Sequence, residues 1–314
     1  MAEPIIIVGH KNPDNDAISA AVGLAFYMNE MAKRQPEGEA REYKPVRLGP
    51  LPPETEWNLN QNGLPLPELI ESVAEGQEVI LVDHNELSQA VDGLEQAEIV
   101  AIVDHHRIGD VTTAGPIFFN CRPWGSTATV VTSMLRQEGI EIPVSIANVL
   151  LSAILTDTVI MKSPTATPVD KEQIDFLCGI TGRNYVEFGQ ELFRCRGAVS
   201  DLPIETYVGA DSKEFAVGDT TVLIAQRETV EIDAAMAREE EARAHMRQLM
   251  EANGYDFVLV MVTDILEEGS YFLVEGNHEV VDRVFGIDSS AAVWMPGVLS
   301  RKKQVAAPLI EAAN

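Results

Sequence analysis

Ile5-Ile6-Ile7-Val8-Gly9-His10-Lys11-Asn12-Pro13-Asp14-Asn15-Asp16 is the stretch on which the fold turns. Its first four residues are β-branched and apolar with no polar alternation, so they read as a short strand buried on both faces, the kind found in parallel sheets. Gly9 ends the strand. A loop of His, Asn and Asp residues follows, and a helical pattern then runs from about Ala17 to Arg34. A buried strand passing through a polar loop into a long helix is the first half of a strand–helix–strand unit.

The same punctuation recurs outward along the chain. Val79 to Val82 is a second buried run, ending at Asp83-His84-Asn85, and Ile99 to Val103 is a third, ending at Asp104-His105-His106. Helical segments are expected between them, one around Pro67 to Ala74. Further helices are expected at about Ser126 to Gln137 and Ser145 to Leu155, the latter leading into Thr156-Asp157. This alternation predicts an α/β fold, with an N-terminal mainly parallel sheet carrying helices on both faces.

Periodicity weakens from about Gly189 to Pro203, where Gly197 and Pro203 act as breakers. The expected division is therefore a domain at 1–190 and a smaller C-terminal α/β domain at 203–314. The second part shows strands near Phe215, at Thr221 to Ala225 and at Phe257 to Val262. A charged helix is expected over about Asp233 to Ala252, stopped by Asn253-Gly254, and another near His278 to Phe285. The run Glu239-Glu240-Glu241 reads as a solvated helix face.

With 314 residues the chain has room for two domains. Lys plus Arg is 23 and Asp plus Glu is 49, so the formal net charge is 23 − 49 = −26. That charge disfavours nucleic acid and anionic membrane as partners. Cys121, Cys178 and Cys195 form neither a disulfide framework nor a zinc knuckle and read as reduced thiols. Met1-Ala2-Glu3-Pro4 lacks a basic leader, and no apolar run approaches the roughly 20 residues of a membrane span. A cytoplasmic protein is expected.

In an open α/β sheet, ligands sit beyond the carboxyl ends of the strands. The ends of the three strands should therefore bring His10, Asp14 and Asp16, Asp83, and Asp104-His105-His106 into one crevice. Asp14, Asp16, Asp83, Asp104 and Asp157 could not all ionise there without a counter-charge. No Lys or Arg run stands beside them, whereas divalent cations would use the same groups as ligands. Carboxylate and imidazole without thiolate points to manganese, cobalt or iron, and less to zinc. Asp16 alternatively caps the helix expected at Ala17. Basic residues are scarce, which draws notice to Arg301-Lys302-Lys303, either an exposed tail cluster or an anion clamp. No Walker loop, nucleophile elbow or dinucleotide fingerprint is present.

Gly9 to Asp16, Val82-Asp83-His84-Asn85-Glu86 and Asp104-His105-His106-Arg107 resemble the N-terminal motifs of family II inorganic pyrophosphatases, in the DHH phosphoesterase superfamily. Ser152 to Thr158, Lys162-Ser163-Pro164-Thr165, Ser212-Lys213-Glu214-Phe215 and Ser300-Arg301-Lys302-Lys303-Gln304 extend the resemblance over essentially the whole chain. It implies hydrolysis of pyrophosphate by a metal-bridged hydroxide, at a two-metal site between two domains of a homodimer's subunit. One ion would be held by His10, Asp14 and Asp83, and the other by Asp16, Asp83, His105 and Asp157. The resemblance assigns His106, Lys213, Arg301 and Lys302 to substrate contact and catalysis, and Asp104 to orienting a ligand. It implies two Mn2+ per subunit, Co2+ as a substitute and additional Mg2+ arriving with the substrate. Asn15, Ala17, Trp124 and Ser126 depart from the residues common in relatives, and no regulatory nucleotide-binding insert is present. Rival expectations are another DHH phosphoesterase acting on oligonucleotides, cyclic dinucleotides or polyphosphate, and a non-catalytic metal- or phosphate-binding protein.

Overall fold

The computed structural model describes residues 3–36, 40–195, 199–218 and 220–313. Gly197, read above as a breaker, lies outside the described residues, as do Met1 and Ala2. The chain divides into two compact units, Met1–Arg196 and Gly197–Asn314.

The first unit runs β1 (Ile5–Val8), α1 (Asn15–Ala32), β2 (Tyr43–Arg47), α2 (Pro53–Gln61), β3 (Glu68–Leu69), β4 (Glu78–Val82), β5 (Glu98–Asp104), β6 (Phe118–Cys121), α3 (Thr127–Gln137), α4 (Val144–Asp157), α5 (Pro168–Thr181) and α6 (Tyr185–Cys195). Its six strands lie in the order β3-β2-β1-β4-β5-β6, and every pair is parallel. Alternate residues serve two cores. Ile5, Ile7, Ile80, Val82 and Val103 join Leu24, Leu135 and Leu150 from the helices. Val8, Val46, Val79, Leu81 and Ile102 pack with Ala90, Val91 and Leu94 on the other face. Each fully buried Ile or Leu side chain contributes roughly 1.5–3 kcal/mol. The order reverses between β1 and β4, and at such a switch point the loops beyond the strand ends splay apart and leave a crevice. Gly9 keeps that point tight, because a Cβ there would lie 2.8 Å from the Ala17 Cβ.

The second unit runs α7 (Ile204–Val208), β7 (Lys213–Val217), β8 (Thr220–Thr229), α8 (Ile232–Met236), α9 (Glu239–Asn253), β9 (Phe257–Asp264), β10 (Gly269–Gly276), α10 (Glu279–Phe285), β11 (Val293–Pro296) and α11 (Ala307–Ala313). The strand order is β11-β10-β9-β8-β7, antiparallel except for β8 with β9. Val258, Val260 and Val262 face Ala242 and Met246 of α9, while Phe257, Leu259 and Met261 face Val281 and Leu309.

Several expectations need correction. Pro67 to Ala74 is not helical: Glu68 and Leu69 pair with β2, and the Ile70 and Val73 N–H groups bond to Arg47 and Asp92 carbonyls on neighbouring segments. The helix of this region is α2 instead. The β4–β5 link is built on two 3-10 turns, Leu87–Gln89 and Leu94–Gln96, and not on a crossover helix. The region of weak periodicity after Gly189 begins inside α6, where Gly189 allows close packing on Ile160. The helix expected over Asp233 to Ala252 is two helices, α8 and α9. They part near Arg238, whose guanidinium satisfies the Val199 and Leu202 carbonyls at 2.9 and 2.7 Å. Glu240 and Glu241 are exposed as expected, but half-buried Glu239 pairs with Arg243 at 2.8 Å. The three cysteines are free and half-buried. Among the described residues no helix is long and apolar enough to cross a membrane.

Candidate metal centre

The loop between β1 and α1 places the first ligand-type residues. Asp14, not Asp16, is the N-cap of α1, and its Oδ1 accepts the Ala17 N–H at 2.9 Å. Asp16 therefore lies inside the first turn and points at a different helix end. Its carboxylate accepts the Thr127 and Ala128 N–H groups at 2.6 and 3.0 Å and the Ser126 hydroxyl at 2.8 Å, all at the start of α3. A helix N-terminus carries unpaired donors and a partial positive charge, so it fixes a carboxylate well.

Asp83 follows β4 with φ +62°, a left-handed conformation unusual for a non-glycine residue and characteristic of functional turns. It is 1% exposed. Its Oδ2 lies 3.6 Å from His10 Nε2, its Oδ1 lies 3.5 Å from His105 Nε2, and Thr127 donates its hydroxyl at 2.7 Å. One buried carboxylate thus faces two imidazoles with its two oxygens. His10 Nε2 is also 3.7 Å from Asp14 Oδ1, and His105 Nε2 is 3.4 Å from Asp157 Oδ2 at the end of α4.

Hydrogen bonds select the tautomers. His10 Nδ1 donates to the Lys11 carbonyl at 2.8 Å, and His105 Nδ1 to the Trp124 carbonyl at 2.9 Å. A carbonyl only accepts, so each ring presents an Nε2 lone pair to the carboxylates, as a metal ligand must. His106 Nδ1 bonds to Asp104 Oδ1 at 3.0 Å, the same oxygen that accepts the His105 and His106 N–H groups. Asn85 donates to the other Asp104 oxygen. Asp104 is thereby saturated and holds the loop.

Three ligand groups result among the described residues, each with donor atoms within 4.8 Å of one another: His10 with Asp14 and Asp83, Asp16 with His105 and Asp157, and Asp83 with His105 and His106. All seven residues read from the N-terminal motifs and Asp157 as metal or substrate ligands come together here. Burial, then Asp16, Asp14 and Asp157, pushes the Asp83 carboxyl well up. Burial, then Asp16 and Asp14, pushes Asp157 up to about 8. Asp16 is raised too, by burial first. These groups lack positive charge. Buried Asp157 Oδ2 has no hydrogen-bond donor, because the His105 proton is committed to Trp124. Divalent cations fit such a donor set and supply what it lacks. A cavity of about 230 Å³ lies beside His10, Asp83 and His106.

His84 stays outside these groups. It is buried, donates from Nδ1 to the Val82 carbonyl at 3.0 Å, and is held below the ordinary His range by burial. Residues missed in the sequence are Thr127, Asn85 and the carbonyl of Trp124, ordinary types whose role is positional.

In the second unit, Arg301 opens a π-helical turn, Arg301–Ala306. Its side chain is 13% exposed and bonds to the Asp211 carboxylate at 2.8 Å, to the Asp211 carbonyl and to the Ile224 carbonyl. Arg301 is therefore anchored, unlike a loose tail, while Lys302 and Lys213 are exposed. Gln226, also missed, accepts the Arg301 N–H at 3.2 Å and donates to the Leu299 carbonyl at 3.0 Å, pinning this loop to the sheet.

Residues 4–154 match the DHH family, N-terminal domain, and residues 190–312 match the DHHA2 domain. The manganese-dependent inorganic pyrophosphatase of Methanocaldococcus jannaschii is 39% identical over 98% of this chain and 99% of its own length. A probable manganese-dependent inorganic pyrophosphatase of Archaeoglobus fulgidus is 42% identical over 99% of both chains. A crystal structure from Methanococcus jannaschii bearing the family II inorganic pyrophosphatase name aligns with TM-score 0.59 at 39% identity, over 98% of this chain and 99% of that one. An exopolyphosphatase-related protein from Bacteroides fragilis, with TM-score 0.52 at 15% identity, shares the fold. With such identity over almost its entire length, and with the ligand-type residues gathered at the sheet's switch point, this chain belongs to the family II, manganese-dependent inorganic pyrophosphatases of the DHH group.

Proposed function

We propose that the chain hydrolyses inorganic pyrophosphate to two orthophosphates at a centre for two divalent ions. His10, Asp14 and Asp83 would hold one ion, and Asp16, Asp83, His105 and Asp157 the other. The observation that carries this reading is Asp83, whose two oxygens face His10 and His105 separately. When bound, Mn2+ ions neutralise the carboxylates, draw charge from phosphoryl oxygens and make water a competent nucleophile at neutral pH. The chain's own residues prepare that chemistry. Lys11 and Trp124 carbonyls set the imidazole tautomers, the α3 N-terminus holds Asp16, and Asp104 fixes the His106 ring through Nδ1, so that the imidazolium form has its Nε2–H left to donate to a phosphate oxygen.

Lys213, Arg301 and Lys302 are proposed to bind the other phosphate oxygens, where fixed positive charge offsets charge that shifts during phosphoryl transfer. Co2+ as a substitute, Mg2+ accompanying the substrate, a homodimer and a cytoplasmic setting belong to the same proposal. The membership in the family supports them. The assay is phosphate release from pyrophosphate after loading with Mn2+ or Co2+, against Mg2+ alone, with oligonucleotide and polyphosphate as competitors. Faster release with the transition ions is expected. Greater turnover of either polymer would overturn the assignment.

A further inference from the structure

Asp170 is 0% exposed and lies in the first turn of α5, shortly after the Lys162–Thr165 motif but outside it. Part of its role is local, since it closes a capping box with Thr167, accepting that residue's N–H at 2.7 Å and hydroxyl at 2.6 Å. A capping box uses one carboxylate oxygen. The rest of this carboxylate is turned on another segment. Gly125 N–H bonds to both oxygens, at 3.0 and 2.9 Å, and Thr129 donates its hydroxyl to Oδ1 at 2.6 Å.

The segment so held, Trp124-Gly125-Ser126-Thr127, touches two members of one ligand group and the chain neighbour of the third. The Trp124 carbonyl takes the His105 Nδ1–H. Ser126 and Thr127 donate to Asp16. Gly125 packs against Thr158, the neighbour of Asp157: a Cβ at Gly125 would lie 2.7 Å from Thr158 Cγ2 and 2.8 Å from Asp170 Oδ2. No side chain larger than hydrogen fits between them, so the turn is seated between Asp170 and Thr158.

Resting on the two-ion reading above, we propose that Asp170 is a positioning residue for the ion held by Asp16, His105 and Asp157. It fixes the 124–127 turn, and the turn fixes how these three side chains present their donor atoms. Of the other ion's ligands, His10 and Asp14 lie on the β1–α1 loop and receive nothing from this turn, while the shared Asp83 accepts the Thr127 hydroxyl at 2.7 Å.

The test is Mn2+ titration calorimetry on metal-free protein. Wild type should bind two ions per chain. Asp170→Asn places an amide N–H against the Gly125 or Thr167 N–H. One of its two sites should weaken about 10–100-fold, the range for residues that orient a ligand, and the other by clearly less, since Asp83 alone of its ligands meets the turn. Gly125→Ala keeps the Asp170 charge but unseats the turn, so it should give the same unequal loss and decides the matter if Asp170→Asn does not fold. Thr167→Ala removes the capping hydroxyl alone and should lower Tm while leaving both affinities intact. Two unaltered sites in Asp170→Asn or Gly125→Ala would overturn the proposal. So would equal weakening of both sites in step with Tm. A wild-type chain that binds no Mn2+ would instead overturn the two-ion reading itself.

Discussion

Asp16, in the first turn of α1, accepts the Thr127 N–H at the start of α3 at 2.6 Å, across 111 residues of sequence. The bond joins a candidate ligand to the N-terminus of a helix it does not belong to. Asp16→Ala should therefore act in two ways. In EDTA it leaves the buried Thr127 N–H without its acceptor and the Ala128 N–H with the Ser126 hydroxyl alone, and urea unfolding should show a loss of about 1–3 kcal/mol. With Mn2+ present, pyrophosphatase activity should fall to background. Unchanged metal-free stability would show that the helix end does not depend on Asp16.

Without metal, the Asp157 carboxyl is pushed up to about 8 by burial, then by Asp16 and Asp14, from an ordinary 3.8. Between those values the folded state holds more protons than the unfolded state, so stability falls as pH rises. The contribution is fully present below about 3.8 and is lost as pH passes about 8. Thermal melts of the protein in EDTA should decline from pH 5 to pH 8. Asp157→Asn should flatten that decline, and saturating Mn2+ should reverse it, since proton and cation compete for the carboxylates. Melting that rises with pH in EDTA would contradict this account.

Arg301 is anchored by Asp211 and the Ile224 carbonyl, which presents its guanidinium in a defined orientation. Arg301→Ala should lower kcat/KM by roughly 10²-fold or more, the scale of one lost electrostatic donor. Arg301→Lys should recover part of the loss, because a point charge cannot reproduce the planar fork. Mn2+ affinity should not change in either variant. Steady-state kinetics on Mn2+-loaded protein check this, and wild-type kcat/KM in Arg301→Ala would remove Arg301 from the reaction.

β1, β4 and β5 were legible because each is a β-branched run that ends abruptly at His or Asp, a signature of buried parallel strands. β2 was not: Tyr43-Lys44-Pro45-Val46-Arg47 carries a proline and two charges. Pro45 is tolerated because β3 pairs with Val46 and Arg47 and stops short of it. The ligand-type residues were visible because catalytic and metal chemistry is confined to few side chains. Their supports were not. The Trp124 carbonyl has no sequence signal, and Asn85 and Thr127 acquire meaning only when strands and helices distant in sequence meet. Asp16 was open to a capping reading because Asp-x-Asp before a helix offers two caps, and local pattern alone does not choose between them.

Asp83 is the residue on which the two-ion account depends. Mn2+ titration of metal-free wild type and Asp83→Ala tests it most directly. The wild type should bind two ions per chain. Asp83→Ala should remain folded, being at a strand end, and both of its sites should weaken by at least the ~10–100-fold typical of losing a ligand's orienting partner. Two Mn2+ sites of wild-type affinity in Asp83→Ala would contradict the bridging role and the two-ion centre built on it.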